Sequence, residues 1–199
     1  MNALADLIRS RRSIRRYQPR RIEPALLEWL CEMGGWAPSA HNRQPWRFAL
    51  VTTPATQAHL ARAMGERLQD DLRADGVEEA VIARDVQRSW QRITGAAALL
   101  CLCLTMQEMD RYPDPLRSAK EHLMAVQSAA MAGQNILLAA HSVGLGACWM
   151  CAPLFCPDAV RAALALPTDW QPQGLITLGY PAEEKAQPRK ALPELLLWR

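Results

Sequence analysis

"AKEHLMAVQSAAMAGQNILLAAHSVGLGACWM" runs from residue 119 to residue 150, and its reading decides the fold. Through residue 144 the segment predicts one long helix. Ala129, Ala130, Met131, Ile136, Leu137, Leu138 and Ala139 spread apolar groups nearly all round its axis. Such a helix is buried on most sides, either at the centre of a fold or in a subunit interface. Gly144 is placed to cap its C-terminus. "GLGACWM" (144–150) then leads into a short strand. A buried helix delivered onto a strand is the centre around which the other elements must pack.

Working outward, "RYPDPLRS" (111–118) reads as a loop with two prolines, and "AAALLCLCL" (96–104) as a buried strand. "CPDAVRAALAL" (156–166) predicts a helix beginning near Pro157, and "GLITLGYP" (174–181) another strand. At the front, Ala3, Leu4, Leu7 and Ile8 share one helical face. That helix breaks near Ser13, where "SIRRYQP" reads as extended. Pro24 suits a first helical turn. Leu26, Leu27, Leu30 and Cys31 form the buried stripe of the helix that follows, and Gly34-Gly35 ends it. "WAPSAHNRQP" (36–45) is loop, with Trp36 and Trp46 flanking and anchoring it, and "WRFALVTT" (46–53) is a strand. Residues 55–93 are helical in pattern with a break at Asp75-Gly76. Helices and strands do not alternate strictly, which favours α+β over a doubly wound sheet.

The chain has 199 residues, enough for one domain with a substantial core. There is no internal repeat or linker, so residues 1–199 are expected to form one domain. Residues 182–199 are a C-terminal extension whose apolar end, "LPELLLWR", is expected to pack on a second subunit. The N-terminus lacks a basic region followed by an apolar one. The apolar run at 95–104 is too short to span a bilayer. The expectation is a soluble, cytoplasmic protein with no membrane partner.

Six cysteines in such a chain are not a disulfide scaffold. Cys101 and Cys103 point to one face of a strand. Cys148, Cys151 and Cys156 contain one C-x-x-C pair without a second, so buried thiols outrank a metal site, and no metal is expected.

The remaining feature is basic. "RSRRSIRRYQPRR" (9–21) holds seven of the twenty arginines, in a chain whose net charge is only +3. Three readings compete. A solvated charge run is the plainest. Nucleic-acid binding would favour a broader basic face with interleaved aromatics, whereas only Tyr17 interrupts this run, and none is expected. A phosphate site would use the planar donor fork of arginine, with Ser13 adding a hydroxyl. Spacing alone leaves all three open.

Two other motifs narrow the choice. With "RRSIRRY" (11–17) at the front, "APSAHNRQPWRF" (37–48) and "GLGACWMCAPLF" (144–155) follow in an order that resembles the FMN-dependent nitroreductase family. "YPDP" (112–115), "GLGACWMCAPLFCPD" (144–158) and "LPTDWQPQGLITLGYP" (166–181) are most similar to the flavin-reductase domain fused to deazaflavin-cofactor gamma-glutamyl ligases. The resemblance implies a central, mostly antiparallel sheet wrapped by helices, in an intertwined homodimer with FMN at the interface. It also implies site residues. Arg11, Arg12 and Ser13 would grip the FMN phosphate and ribityl chain. Arg15 would sit beside the flavin pyrimidine ring, and Arg189 would close over the phosphate with Lys190 as a helper. Pro38, Ser39 and Asn42 would reach the flavin of the partner subunit, with Gln44 near the ring. Cys148, Trp149 and Met150 would supply backbone against the isoalloxazine, and Arg88 or Arg92 a further contact.

The implied activity is hydride transfer from NADH or NADPH through flavin N5 to a small organic acceptor, such as a nitroaromatic, quinone or enone. The flavin carries the chemistry, so no catalytic side chain is required, and Arg15 tunes it. The alternatives are reduction of a deazaflavin-cofactor precursor, or a protein that binds or fragments flavin without turnover.

Overall fold

The computed structural model describes residues 2–199, so only Met1 of the expected domain lies outside it. The centre of the sheet is β2 (Ala98–Leu104), "ALLCLCL", whose seven residues are all buried. A strand apolar on both faces needs neighbours on both edges and layers on both sides. Its edges pair antiparallel with β1 (Trp46–Val51) and β4 (Gln171–Gly179), and β3 (Gly146–Met150) pairs antiparallel with β4. The order β1-β2-β4-β3 gives the four-stranded antiparallel sheet of an α+β fold. Cys101 and Cys103 lie on one face as their alternation requires, with Sγ atoms 3.7 Å apart.

Helices cover both faces. On one, α2 (Pro24–Gly35) and α5 (Pro115–Ser142) bring Leu27, Leu30, Ala132, Ile136 and Ala140 against Leu100, Leu102, Ile176 and Leu178. On the other, α3 (Pro54–Ala74), α4 (Glu79–Thr94) and α6 (Pro157–Ala163) set Leu60, Met64, Ile93 and Val160 against Leu99, Cys101, Cys103 and Leu175. The turn between α3 and α4 uses Gly76 at φ +73°, where the sequence predicts a break. α1 (Ala3–Ser10) has Asn2 as its N-cap, whose side chain accepts the Leu4 N–H.

α5 differs from expectation at its start. "YPDP" reads as loop, yet the helix begins inside it, at Pro115, four residues before the predicted 119. Asp114 caps it by accepting the Arg117 N–H at 2.9 Å, and proline fits the first helical position because that N–H has no helical acceptor to lose. At the other end Gly144, at φ +78°, lets Leu145 N–H reach back to Ala140 O at 2.9 Å. The helix has the length and hydropathy of a bilayer span, but Ala125, Ala129, Ala132, Ile136 and Ala140 are fully buried in the protein core. Its opposite side is open, with Leu123 and Met131 exposed.

Beyond β4 the chain forms no regular element except a single turn at Leu192–Glu194. Leu192, Leu195, Leu197 and Trp198 are all exposed, the indole 86% so.

Candidate functional site

After α1 the chain runs extended along the free edge of β3. Ser13 bridges Ala147 in parallel, and Ile14 N–H donates to Ala147 O at 3.0 Å. Ile14 is buried against Gly146, where an added Cβ would lie 2.8 Å from the Ile14 Cβ; the missing side chain permits this close approach. Tyr17 then bridges Pro181, and its hydroxyl donates to Ile14 O at 2.5 Å while meeting Thr177 Oγ1 at 2.7 Å. The arginine stretch is therefore a rigid strap between β3 and the segment leaving β4.

That strap places its cations unequally. The Arg11 guanidinium is half-buried, and its pKa falls below the usual arginine value through desolvation and then repulsion from Arg189 and Arg12. Arg12 donates to Arg9 O and Arg11 O, and its buried Nε finds no partner among the described residues. Arg15 and Arg16 are held by their backbones, whose N–H groups donate to Glu183 Oε1 at 2.6 and 3.2 Å. Burial would raise the Glu183 pKa, but those N–H groups and Lys185, 3.4 Å away, pull it below the usual carboxylate value.

Cys148 on β3 is ringed by charge. Desolvation pushes its thiol pKa up, against the opposing fields of Arg15, Arg92 and Lys185, so burial wins and the thiol stays protonated at neutral pH. Two cavities, each of about 420 Å³, flank this ring. One is lined by Arg11, Arg12, His141 and Gly146, the other by Arg15, Arg88 and Arg92, and both share Glu183 and Lys185. Trp149 packs between α5 and β4, as a core tryptophan should, and its indole N–H donates to Cys151 Sγ at 3.2 Å. Cys148, Cys151 and Cys156 do not converge: Cys156 donates to Ala152 O at the start of α6, and the described residues contain no metal-ligand cluster.

The second predicted motif is a braced loop. His41, Asn42 and Gln44 all have positive φ, between 49° and 53°, a conformation costly for residues with a side chain. Ser39 Oγ accepts the Gln44 N–H at 3.0 Å, and Ala40 N–H donates to Ser128 Oγ at 3.3 Å. Ion pairs of 2.6 Å join Arg43 to Asp110 and Arg47 to Glu108. The bracing leaves Pro38, Asn42 and Gln44 exposed and Ser39 half-exposed. Trp46 is buried and anchors the loop, but Trp36 is 75% exposed and does not.

The structure brings Arg11, Arg12, Ser13, Arg15, Cys148 and Arg189 to one region and leaves the loop elsewhere. The loop touches α5 at Ser128, whereas the strap touches it at His141, through a 2.8 Å bond to Ser10 Oγ. Thirteen helical residues separate these points, about 20 Å at 1.5 Å per residue. The sheet agrees: the loop enters at the Trp46–Leu104 end, while Ser13 pairs near the Gly146–Gly179 end. Sequence reasoning also missed Glu183 and Lys185. Their signal was weak, a short "EEK" just after the last strand.

The pattern of the Nitroreductase family matches residues 8–180. The chain belongs to the nitroreductase family. It is therefore an oxidoreductase. The chain is 34% identical to an NADH dehydrogenase of Thermus thermophilus, over 95% of this chain and 92% of that one. Among solved structures, a nitroreductase from Desulfovibrio desulfuricans in complex with FMN aligns over all of this chain and 98% of its own, at 28% identity and a TM-score of 0.77. The NADPH:FMN oxidoreductase of Vibrio harveyi, complexed with NAD+, shares the fold at a TM-score of 0.74 and 20% identity, over 99% of this chain and 77% of that one. Glu183, Lys185 and Arg189 lie just past the end of the family match.

Proposed function

We propose that this nitroreductase-family chain is an FMN-dependent oxidoreductase that passes hydride from NADH or NADPH to a small organic acceptor of the nitroaromatic, quinone or enone type. The observation that carries the reading is the convergence of Arg11, Arg12, Arg15 and Arg189 on one edge of β3, with a buried Arg12 Nε that has no partner among the described residues. Repulsion among cations of this density is relieved by a bound dianion, which FMN provides. The relatives named above, one solved with FMN and one called an NADH dehydrogenase, support the same cofactor and reductant.

Bound FMN would supply the hydride-accepting and hydride-donating chemistry. The protein would supply position and charge. Arg11, Arg12 and Arg189 would hold the phosphate end, with Ser13 beside it. Arg15, whose backbone is fixed by the bond from its N–H to Glu183, would present a cation to the pyrimidine edge and stabilise the charge that reduction brings there. Cys148, Trp149 and Met150 offer a rigid backbone wall. The loop carrying Pro38, Ser39, Asn42 and Gln44 lies too far away to serve the same site. A homodimer in which each chain lends its loop to the other completes two equivalent sites. The open side of α5 and the apolar end of residues 182–199 are natural material for that interface.

Anaerobic mixing of the FMN-loaded protein with NADH or NADPH is expected to bleach its visible flavin bands. Bleaching by neither would refute the activity and favour the protein that binds or fragments flavin without turnover. A narrower reading, reduction of a deazaflavin-cofactor precursor, rests on residues 111–181. It requires the bleached protein to be reoxidised faster by such a precursor than by a simple quinone.

A further inference from the structure

We propose that the apolar pocket between α3, α4 and the turn after β3 takes an uncharged hydrocarbon side chain of the electron acceptor, so that the acceptor is an alkyl- or prenyl-substituted quinone. The inference rests on the flavin reading above and narrows its substrate class. None of the residues that line this pocket is among those assigned to FMN.

The pocket holds about 290 Å³. Met64, Leu68 and Leu72 follow one another at four-residue intervals on α3 and form one wall. Ala152 and Phe155, in the single turn Ala152–Phe155, and Cys156 form the other. Met64 and Cys156 are buried, but Phe155 is 72% exposed, and its neighbour Leu154 is exposed as well. A phenyl ring left in water beside an apolar hollow is surface that a hydrocarbon ligand would cover at a gain. The Cys156 thiol adds no charge, because burial pushes its pKa up. At the rim, Arg67 and Asp71 pair at 2.7 Å, and Asp75 adds a further negative charge. The lining therefore disfavours a chain that ends in a carboxylate, such as a fatty acid, and favours a neutral one.

Position ties the pocket to the acceptor. It starts where the proposed flavin wall ends: Ala152 is two residues past Met150, at most about 7 Å along the chain. On α4, Ser89 lines the pocket, and Arg92, which lines the cavity beside the strap, stands three residues on along the same helix face. The two hollows are thus neighbours along β3 and along α4. An acceptor ring held at the flavin has the pocket within reach of a substituent. A small nitroaromatic or enone without one would leave it empty. The overall reaction is the one proposed above: NADH or NADPH and one proton convert the quinone to its quinol, and the nicotinamide is oxidised.

The test uses the FMN-loaded protein with 1,4-benzoquinones that carry a methyl, butyl or heptyl chain. Steady-state rates are measured for the natural protein, for Leu72→Asp, which makes the apolar wall polar, and for Ser89→Phe, which fills the pocket. FMN content and melting curves are checked for each. In the natural protein kcat/KM is expected to rise about threefold per added methylene until the pocket is full. Both variants are expected to flatten that series while keeping the rate with the methyl compound. A heptyl chain ended in a carboxylate is expected to lose the gain. In a separate calorimetric titration of the FMN-free protein, 4-butylphenol is expected to bind about tenfold more tightly than phenol, and Ser89→Phe to remove the difference. Rates independent of chain length, a series unchanged in both variants, or equal rates with the neutral and the carboxylate-ended chain would overturn the pocket's role while leaving the flavin reading intact. Bleaching of the flavin by neither nicotinamide would remove both.

Discussion

Arg11→Ala is expected to weaken FMN binding roughly thirtyfold, the effect of losing about 2 kcal/mol of charge-assisted hydrogen bonding. The same change should not unfold the protein. Arg11 is held near Arg189 and Arg12 and is partly desolvated, so without FMN its charge is a burden on the fold. The FMN-free Arg11→Ala protein is therefore expected to melt no lower than its parent. Arg20, in the same stretch, supplies the contrast. Its guanidinium lies 3.7 Å from the centre of the Tyr180 ring, on the surface and away from both cavities. Arg20→Ala should cost about 0.5–1 kcal/mol of stability and leave FMN affinity unchanged. FMN titrations of both variants, with melting curves of the FMN-free forms, check the asymmetry. Equal loss of FMN in the two would mean that the stretch acts as a diffuse basic patch.

Gly133→Ala is expected to destabilise the protein by about 2 kcal/mol, which for a chain of this length lowers the melting temperature by roughly 4–8 °C. An added Cβ at Gly133 would lie 2.1 Å from Trp149 Cζ3. The indole cannot retreat, because on its other side an added Cβ at Gly174 would lie 2.6 Å from Cε2 and Cζ2. Trp149 is clamped between two backbones that both lack side chains there, one on α5 and one on β4. The better helix propensity of alanine, about 1 kcal/mol, offsets only part of the clash. Trp149 lies between Cys148 and Met150, so the variant should also bind FMN less well. Gly65→Ala is the control. It lies inside α3, and the nearest atom to its added Cβ is Val86 Cγ1 at 3.4 Å. That substitution should leave the melting temperature unchanged or raise it.

Trp149 also marks what can be read from a chain of letters. β2 and α5 were legible because their patterns leave few alternatives: seven consecutive apolar residues must be interior, and twenty-six mostly apolar ones must be a core helix. The start of α5 was not, because Pro113-Asp114-Pro115 has the composition of a loop and only geometry makes Asp114 a cap. Non-glycine residues concealed the strain at His41, Asn42 and Gln44. Trp36 and Trp46 look equivalent in sequence, yet one is exposed and the other is core.

The site divides the same way. The family pattern implied a phosphate-gripping role for Arg11, Arg12 and Ser13, whereas the meeting of the strap with Lys185, Glu183 and Arg92 depends on where β4 and α4 end. Charges on an amphipathic helix such as α4 normally face solvent, so the pattern of α4 itself gave no sign of the cavity that Arg88 and Arg92 line, and only the family resemblance pointed to one of them. Nor does sequence order reveal that the strap and the loop stand at opposite ends of one sheet. That separation is what the proposed homodimer would bridge.

A subunit-complementation experiment tests this composite site directly. Arg11→Ala removes the phosphate grip of one half of the site, and Asn42→Ala alters the loop half. Each variant alone should bind FMN weakly at both sites of its dimer. When the two are unfolded together and refolded as a mixture, half of the dimers should be hybrids, each with one intact site and one doubly altered site. FMN titration of the mixture is then predicted to show tight binding at about a quarter of all sites. A mixture that binds no better than the two variants measured apart would contradict the account, because it would mean that the strap and the loop serve FMN from the same chain or that the loop does not serve it at all.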